Sequence, residues 1–146
     1  MKQTTNRISA LGFFLGLVLL FSCSQSAGTE AESGVVVAEE VHGLITGQSP
    51  PVLIDVRTAM EYNGGHLENA IRIPVQDFAM GTYAKRLEGV SKDDSVIVYC
   101  HSGVRSNFAR EILIKDGYVN VMDFKGGMVA WRRAKLPIFM GDPTES

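Results

Sequence analysis

Short apolar runs of strand length, each separated from the next by a helical pattern, constrain this chain of 146 residues more than any other feature. Val52-Leu53-Ile54-Asp55 follows Pro50-Pro51, residues 70–73 are stopped by Pro74, and Val96-Ile97-Val98 lies within 95–99. Residues 118–123 form a further run, and the β-branched stretch 35–37 opens the series. The best of these do not alternate apolar with polar, which is the pattern of strands covered on both faces. Between them the spacing predicts helices over 38–45, 78–87, 106–116 and 128–133, and a short one that Thr58 caps with Glu61 in the capping-box position. Gly64-Gly65 breaks that short helix, Gly117 is placed to end the 106–116 helix as its C′ glycine, and Gly126-Gly127 makes a tight turn. Strands alternating with helices of this length imply βαβ units, hence an α/β fold in three layers: a mostly parallel central sheet with helices on both faces. No internal repeat is present.

Composition sets the limits of that fold. With 45% apolar and 21% charged residues the chain holds one ordinary core and needs no disulfide staples. Fourteen basic residues against sixteen acidic ones leave a net charge of −2, and without a basic excess a nucleic-acid partner is not expected. The expected domain spans 35–139, with a short polar tail at 140–146.

The first residues read differently. Lys2 and Arg7 flank a polar start, and residues 8–21 then run apolar apart from Ser9. That run is shorter than the ~20 residues a spanning helix needs, and a positive start followed by a short apolar stretch is the layout of a secretory signal peptide. Leu20-Phe21-Ser22-Cys23 resembles the bacterial lipobox, in which the cysteine is lipidated and becomes the new N-terminus. Phe21 is bulkier than that pattern's usual small residue, and ordinary cleavage after Ser26 or Ala27 is the competing expectation. The resemblance implies a signal segment at 1–22, a membrane anchor on Cys23 and export to the bacterial periplasm. Ser24 after the cysteine favours the outer membrane. Residues 23–34, small and polar, are expected to form a tether with an r.m.s. span of roughly 18 Å.

If Cys23 carries lipid, Cys100 is the one remaining thiol in an oxidising compartment, and an unpaired cysteine there is either buried and inert or reactive. Its position decides between the two. Cys100 follows Tyr99 at the end of a predicted strand, where open α/β sheets bind their ligands. Only His101, Ser102, Gly103, Val104 and Arg105 separate it from Ser106, which is suited to N-cap the next helix. Gly103 lets the backbone curl so that successive N–H groups face inward as an anion-binding nest. Arg105 adds a full charge, and a thiol in such a cradle loses its proton more readily than a free cysteine. No cluster of histidines, cysteines and acids has metal-ligand spacing, and no Gly-rich phosphate loop is present.

Cys100-His101-Ser102-Gly103-Val104-Arg105-Ser106 resembles the active-site loop of the rhodanese family. Leu53-Ile54-Asp55-Val56-Arg57, Glu61-Tyr62, Gly65-His66-Leu67, Ala70 and Ile73-Pro74 are similar to its first signature, and Gly126-Gly127-Met128-Val129-Ala130-Trp131 to its last. The resemblance covers about 35–138 and implies a rhodanese-like fold and a sulfurtransferase. In that reading the Cys100 thiolate takes sulfur from thiosulfate or a similar donor, forms a persulfide and passes the sulfur to a thiol or cyanide, with no metal or organic cofactor. The loop N–H groups of residues 101–106 would hold the persulfide's terminal sulfur and Arg105 would steer the donor. Two other readings stand beside it: a non-catalytic rhodanese-like binding or sulfur-sensing module, and a Cys-dependent phosphatase or arsenate reductase. The last needs a wider loop than the four residues between Cys100 and Arg105.

Asp55 and Arg57, at a strand end, either support the catalytic loop or form structural hydrogen bonds and ion pairs, with Glu61 a candidate partner for Arg57. His66 resembles a family residue that packs locally, His101 stands where it could stabilise a thiolate, and Trp131 is expected in the core.

Overall fold

In the computed structural model, which describes residues 34–141, the chain folds around a five-stranded sheet of order β1-β5-β4-β2-β3. The strands are β1 (Val35–Val36), β2 (Val52–Asp55), β3 (Ile71–Arg72), β4 (Ser95–Tyr99) and β5 (Asn120–Phe124), and every pairing in the sheet is parallel. Each crossover carries helix: α1 (Ala38–Ile45), α2 (Ala59–Asn63), α3 (Val75–Met80) and α4 (Val104–Lys115), with α5 (Gly127–Arg133) the last element among the described residues. Parallel strands leave no room for hairpins, so the connections must cover the faces. The expected signal segment, Cys23 and all but the last residue of the expected tether lie outside the described residues, as does 142–146. Gly34, that last tether residue, already belongs to the fold, its carbonyl accepting from Asp123 N–H at 2.8 Å.

The alternation of side chains along β4 divides the core in two. Val96, Val98 and Cys100 face one side, where Phe78, Ala109 and Leu113 of α3 and α4 pack on them. Ile97 and Tyr99 face the other, with Val41, Tyr62, Phe124 and Trp131. Every residue of β4 after Ser95 is buried, the result of helices on both faces.

The strands expected at 35–37 and 70–73 and the helix expected at 128–133 shift by one residue at one or both ends, and three other boundaries move further. The helix expected over 78–87 is two pieces, α3 and a 3₁₀ turn at Tyr83–Leu87, because Gly81 at φ +73° closes α3 in the left-handed conformation. The strand expected over 118–123 starts at Asn120: Tyr118 N–H instead bonds back to Leu113 O, completing the helix end at the expected C′ glycine, Gly117. The helix expected from Ser106 begins at Val104, with consequences for the site. By contrast, α1 and β2 have the expected bounds, and Thr58 and Glu61 form the expected capping box.

Candidate active site

β4 delivers Cys100 to the C-terminal edge of the sheet, and three separate pieces of backbone then fix its surroundings. The first is the loop itself. Gly103, at φ +106°, turns the chain so sharply that α4 starts at once, and its N–H points back at Cys100 Sγ at 3.0 Å. Ser106 is therefore not the N-cap: it lies in the first turn of α4, fully buried, with Oγ 3.1 Å from Gly103 O and 3.7 Å from Cys100 Sγ. The left-handed glycine makes the cap geometry that a serine side chain was expected to make, and that frees the hydroxyl for the sulfur.

The second is the start of α5. Its first-turn N–H groups have no partner within their own helix. Met128 N–H donates to Cys100 O at 3.0 Å and Val129 N–H to His101 O at 3.1 Å. With both carbonyls drawn toward α5, the loop amides turn toward the sulfur. A side chain on Gly127 would strike the Cys100 carbonyl, so this contact requires the second glycine of the closing pair.

The electrostatic result is a buried thiol that loses its proton easily. Cys100 is 1% exposed and forms no disulfide among the described residues. Burial by itself pushes the thiol up, yet the amides of Ser106, Gly103 and Ser102 and the Ser106 hydroxyl together outweigh it, and the net shift is downward. His101 and Ser102 are exposed on the rim, and Val104 is exposed beside them.

The third piece is α2. Arg105 does not stand free over the nest: its guanidinium grips the Glu61 carboxylate through two bonds of 2.9 and 2.7 Å. Glu61 also accepts from Thr58 N–H and Oγ, so one carboxylate ties the α2 cap to the loop after Cys100. Arg105 above all, and the Thr58 donors after burial's opposing effect, hold the Glu61 carboxyl at about 2. The expectation that Glu61 pairs with Arg57 is thus corrected. Arg57 takes only the Glu61 backbone carbonyl, at 3.1 Å, because its fork is filled by Asp55.

Asp55 and Arg57 form a buried pair, 2.6 Å at the shortest contact. Arg57 also donates to Gly65 O at 2.9 Å, pinning the turn after α2. Its guanidinium sits 5.8 Å from the centre of the Tyr99 ring, and Tyr99 O accepts from Val56 N–H, so the pair braces the residue before Cys100. His66 stacks on Tyr62 at 3.8 Å and bridges to Phe139, while Trp131 Nε1 donates to Pro137 O at 2.7 Å inside the core. Both are packing residues.

One site neighbour is absent from the sequence reading. Asp123, on β5, is buried beside Ser106, and its Oδ1 has no hydrogen-bond partner among the described residues. A lone acid in the apolar run Val121-Met122-Asp123-Phe124 was the available signal, since a strand covered on both faces tolerates a charge only with a reason.

A family model described as a rhodanese-like domain matches residues 37–134. A sulfurtransferase of Allochromatium vinosum is 36% identical over 87 residues, which are 60% of this chain and 77% of that protein. A tRNA uridine(34) hydroxylase of Photorhabdus laumondii is 32% identical over 99 residues, 66% of this chain but 27% of that enzyme, so the chain matches only a part of it. Among solved structures, a rhodanese-related protein of Thermoplasma volcanium superposes with a TM-score of 0.61 at 25% identity, covering 73% of this chain and 98% of that one.

Proposed function

The chain belongs to the rhodanese-like domain family, and from that premise we propose that it is a sulfurtransferase working through a persulfide on Cys100. The observation that carries this reading is the geometry around the buried Cys100 sulfur, with Gly103 N–H at 3.0 Å and Ser106 Oγ at 3.7 Å, donors that pull the thiol below its ordinary range despite its burial. The Cys100 thiolate attacks the outer sulfur of thiosulfate or a similar sulfane donor. A new S–S bond forms, the donor's S–S bond breaks, and sulfite leaves with the electron pair. The terminal sulfur of the resulting persulfide carries the negative charge, which the amides that held the thiolate are suited to stabilise. A thiolate or cyanide acceptor then attacks that sulfur and regenerates Cys100.

Arg105, gripped by Glu61 and one-third exposed, is suited to orient a small anionic donor at the mouth of the nest rather than to enclose a phosphate. Cys100 and the full loop favour catalysis over a binding or sensing module. Incubation with thiosulfate, followed by mass spectrometry, should add one sulfur atom at Cys100 and none in Cys100→Ser. An unmodified Cys100 with no thiosulfate:cyanide turnover would overturn the reading.

We also propose export: cleavage before Cys23, lipidation there, and attachment of the domain to a periplasmic membrane face, the outer membrane being favoured by Ser24. A Cys23→Ala precursor should lose both its acyl mass and its membrane fractionation, whereas soluble wild-type protein cut after Ser26 or Ala27 would overturn this.

A further inference from the structure

The Ser106 hydroxyl has a single hydrogen to give and three acceptors around it. Two are Gly103 O at 3.1 Å and Cys100 Sγ at 3.7 Å. The third is the Asp123 carboxyl group, 7% exposed, whose Oδ1 has no hydrogen-bond partner among the described residues. Asp123 is in register with Val98 on β4, so it sits one side-chain repeat short of Cys100 on the same face of the sheet.

We propose that Asp123 is a positioning residue for the Cys100 thiolate and acts through Ser106: an ionised Asp123 draws the hydroxyl hydrogen away from the sulfur, and a protonated Asp123 leaves it there. The groups around Asp123 make such a choice possible. On β1 and β4 its register partners are Val35 and Val98, both apolar. From α4 it faces Ser106 and the charge of Arg110, whose Nε is committed to Val121 O at 3.0 Å. Lys125, further along the chain, is exposed. Burial pushes the Asp123 carboxyl up, Ser106 and Arg110 pull it down, and the net shift is upward, so this acid holds its proton to higher pH than a surface aspartate. An unbonded buried carboxylate oxygen is costly, and the Ser106 hydroxyl is a donor able to relieve it.

The inference rests on the thiolate of Cys100 as the working group. Its test uses no sulfur donor, so it succeeds or fails separately from the sulfur-transfer assay. The full chain is alkylated with iodoacetamide across pH, and the Cys100 peptide is followed by mass spectrometry for wild type, Asp123→Asn, Ser106→Ala and the double variant. The Asn amide can donate to Ser106 Oγ and returns the hydroxyl hydrogen to the sulfur. Asp123→Asn should therefore lower the alkylation midpoint by about half a pH unit or more. In the Ser106→Ala background the same substitution should produce no shift. A wild-type profile in Asp123→Asn, or a shift that survives intact without Ser106, overturns the proposal, the second because the effect would then act through space.

A reciprocal reading keeps the question answerable if Asp123→Asn does not fold. In wild-type protein with 13C-labelled aspartate, the Asp123 carboxyl carbon should show a second inflection at the thiol midpoint, and Cys100→Ser should lack it. A single inflection in wild type overturns the proposal.

Discussion

Two arginine–carboxylate pairs stand at the same edge of the sheet, and they do different work. Asp55–Arg57 is sealed, its side chains 0% and 3% exposed, whereas Glu61–Arg105 is about one-third open, at 29% and 33%. Both use two-pronged guanidinium contacts. In the sealed pair Arg57 also takes the carbonyls of Glu61 and Gly65, so removing either charge strands the other in the core. In the open pair water can replace either partner. The lesson is that the same chemical pair is a structural rivet when buried and an adjustable mouth when half-open.

Breaking the sealed pair should have the largest effect. Arg57→Ala leaves the Asp55 carboxylate buried without its guanidinium and should cost about 3–5 kcal/mol of stability, read from urea unfolding. An unfolding midpoint close to wild type would show that water reaches Asp55 and would erase the contrast.

Arg105→Ala tests the open pair by function. It leaves Glu61 ionised at the mouth, where it repels an anionic donor, and should raise KM for thiosulfate about tenfold, worth ~1.4 kcal/mol, with a smaller change in kcat. A pure kcat loss would instead assign Arg105 to the chemical step. Stability should change far less than in Arg57→Ala.

Glu61→Gln sharpens the comparison through pH. The folded carboxyl lies at about 2 against an ordinary 4.5, so its contribution is complete above pH 4.5 and is lost as pH falls through about 2. Discounted for solvent screening of a pair this open, that contribution is about 1 kcal/mol. The stability gap between wild type and Glu61→Gln should be constant above pH 5 and close between pH 4.5 and 2. A gap that persists at pH 2 would mean the loss came from the Thr58 cap rather than from charge.

The smallest effect belongs to a third pair, Lys92–Asp116, whose side chains are about half exposed. Asp116→Asn should leave the thermal midpoint unchanged, and a measurable fall would place this pair nearer to the open one.

Much of this was readable in one dimension because it depends on local rules. Apolar runs without alternation, interrupted by helical spacing, identify strands covered on both faces, and β2 and α1 fall on their expected residues. Thr58 with Glu61 three residues on, and a glycine after α4, are caps whose partners lie within a turn of each other. The placement of Cys100 was likewise legible, since an apolar strand run ends at Tyr99 and a helical pattern follows Gly103. Gly81 and Gly103 misled the helix boundaries because the pattern of apolar residues does not reveal which glycine takes a positive φ.

What the tertiary structure decided are the partnerships between distant residues. Sequence spacing offered Glu61 to Arg57, four positions away, and the fold gave it to Arg105, because β2 and β4 are neighbours and bring α2 against the start of α4. The orientation of the thiol loop comes from Met128 and Val129 amides at the far end of the chain. Asp123 reaches Ser106 only because β5 lies beside β4. The sequence by itself determined which stretches form strands and helices and that Cys100 stands between β4 and α4, since each follows from a periodicity or a cap within a few residues. Which charge meets which, and which donors surround the sulfur, depended on strand order, a property that no local spacing encodes.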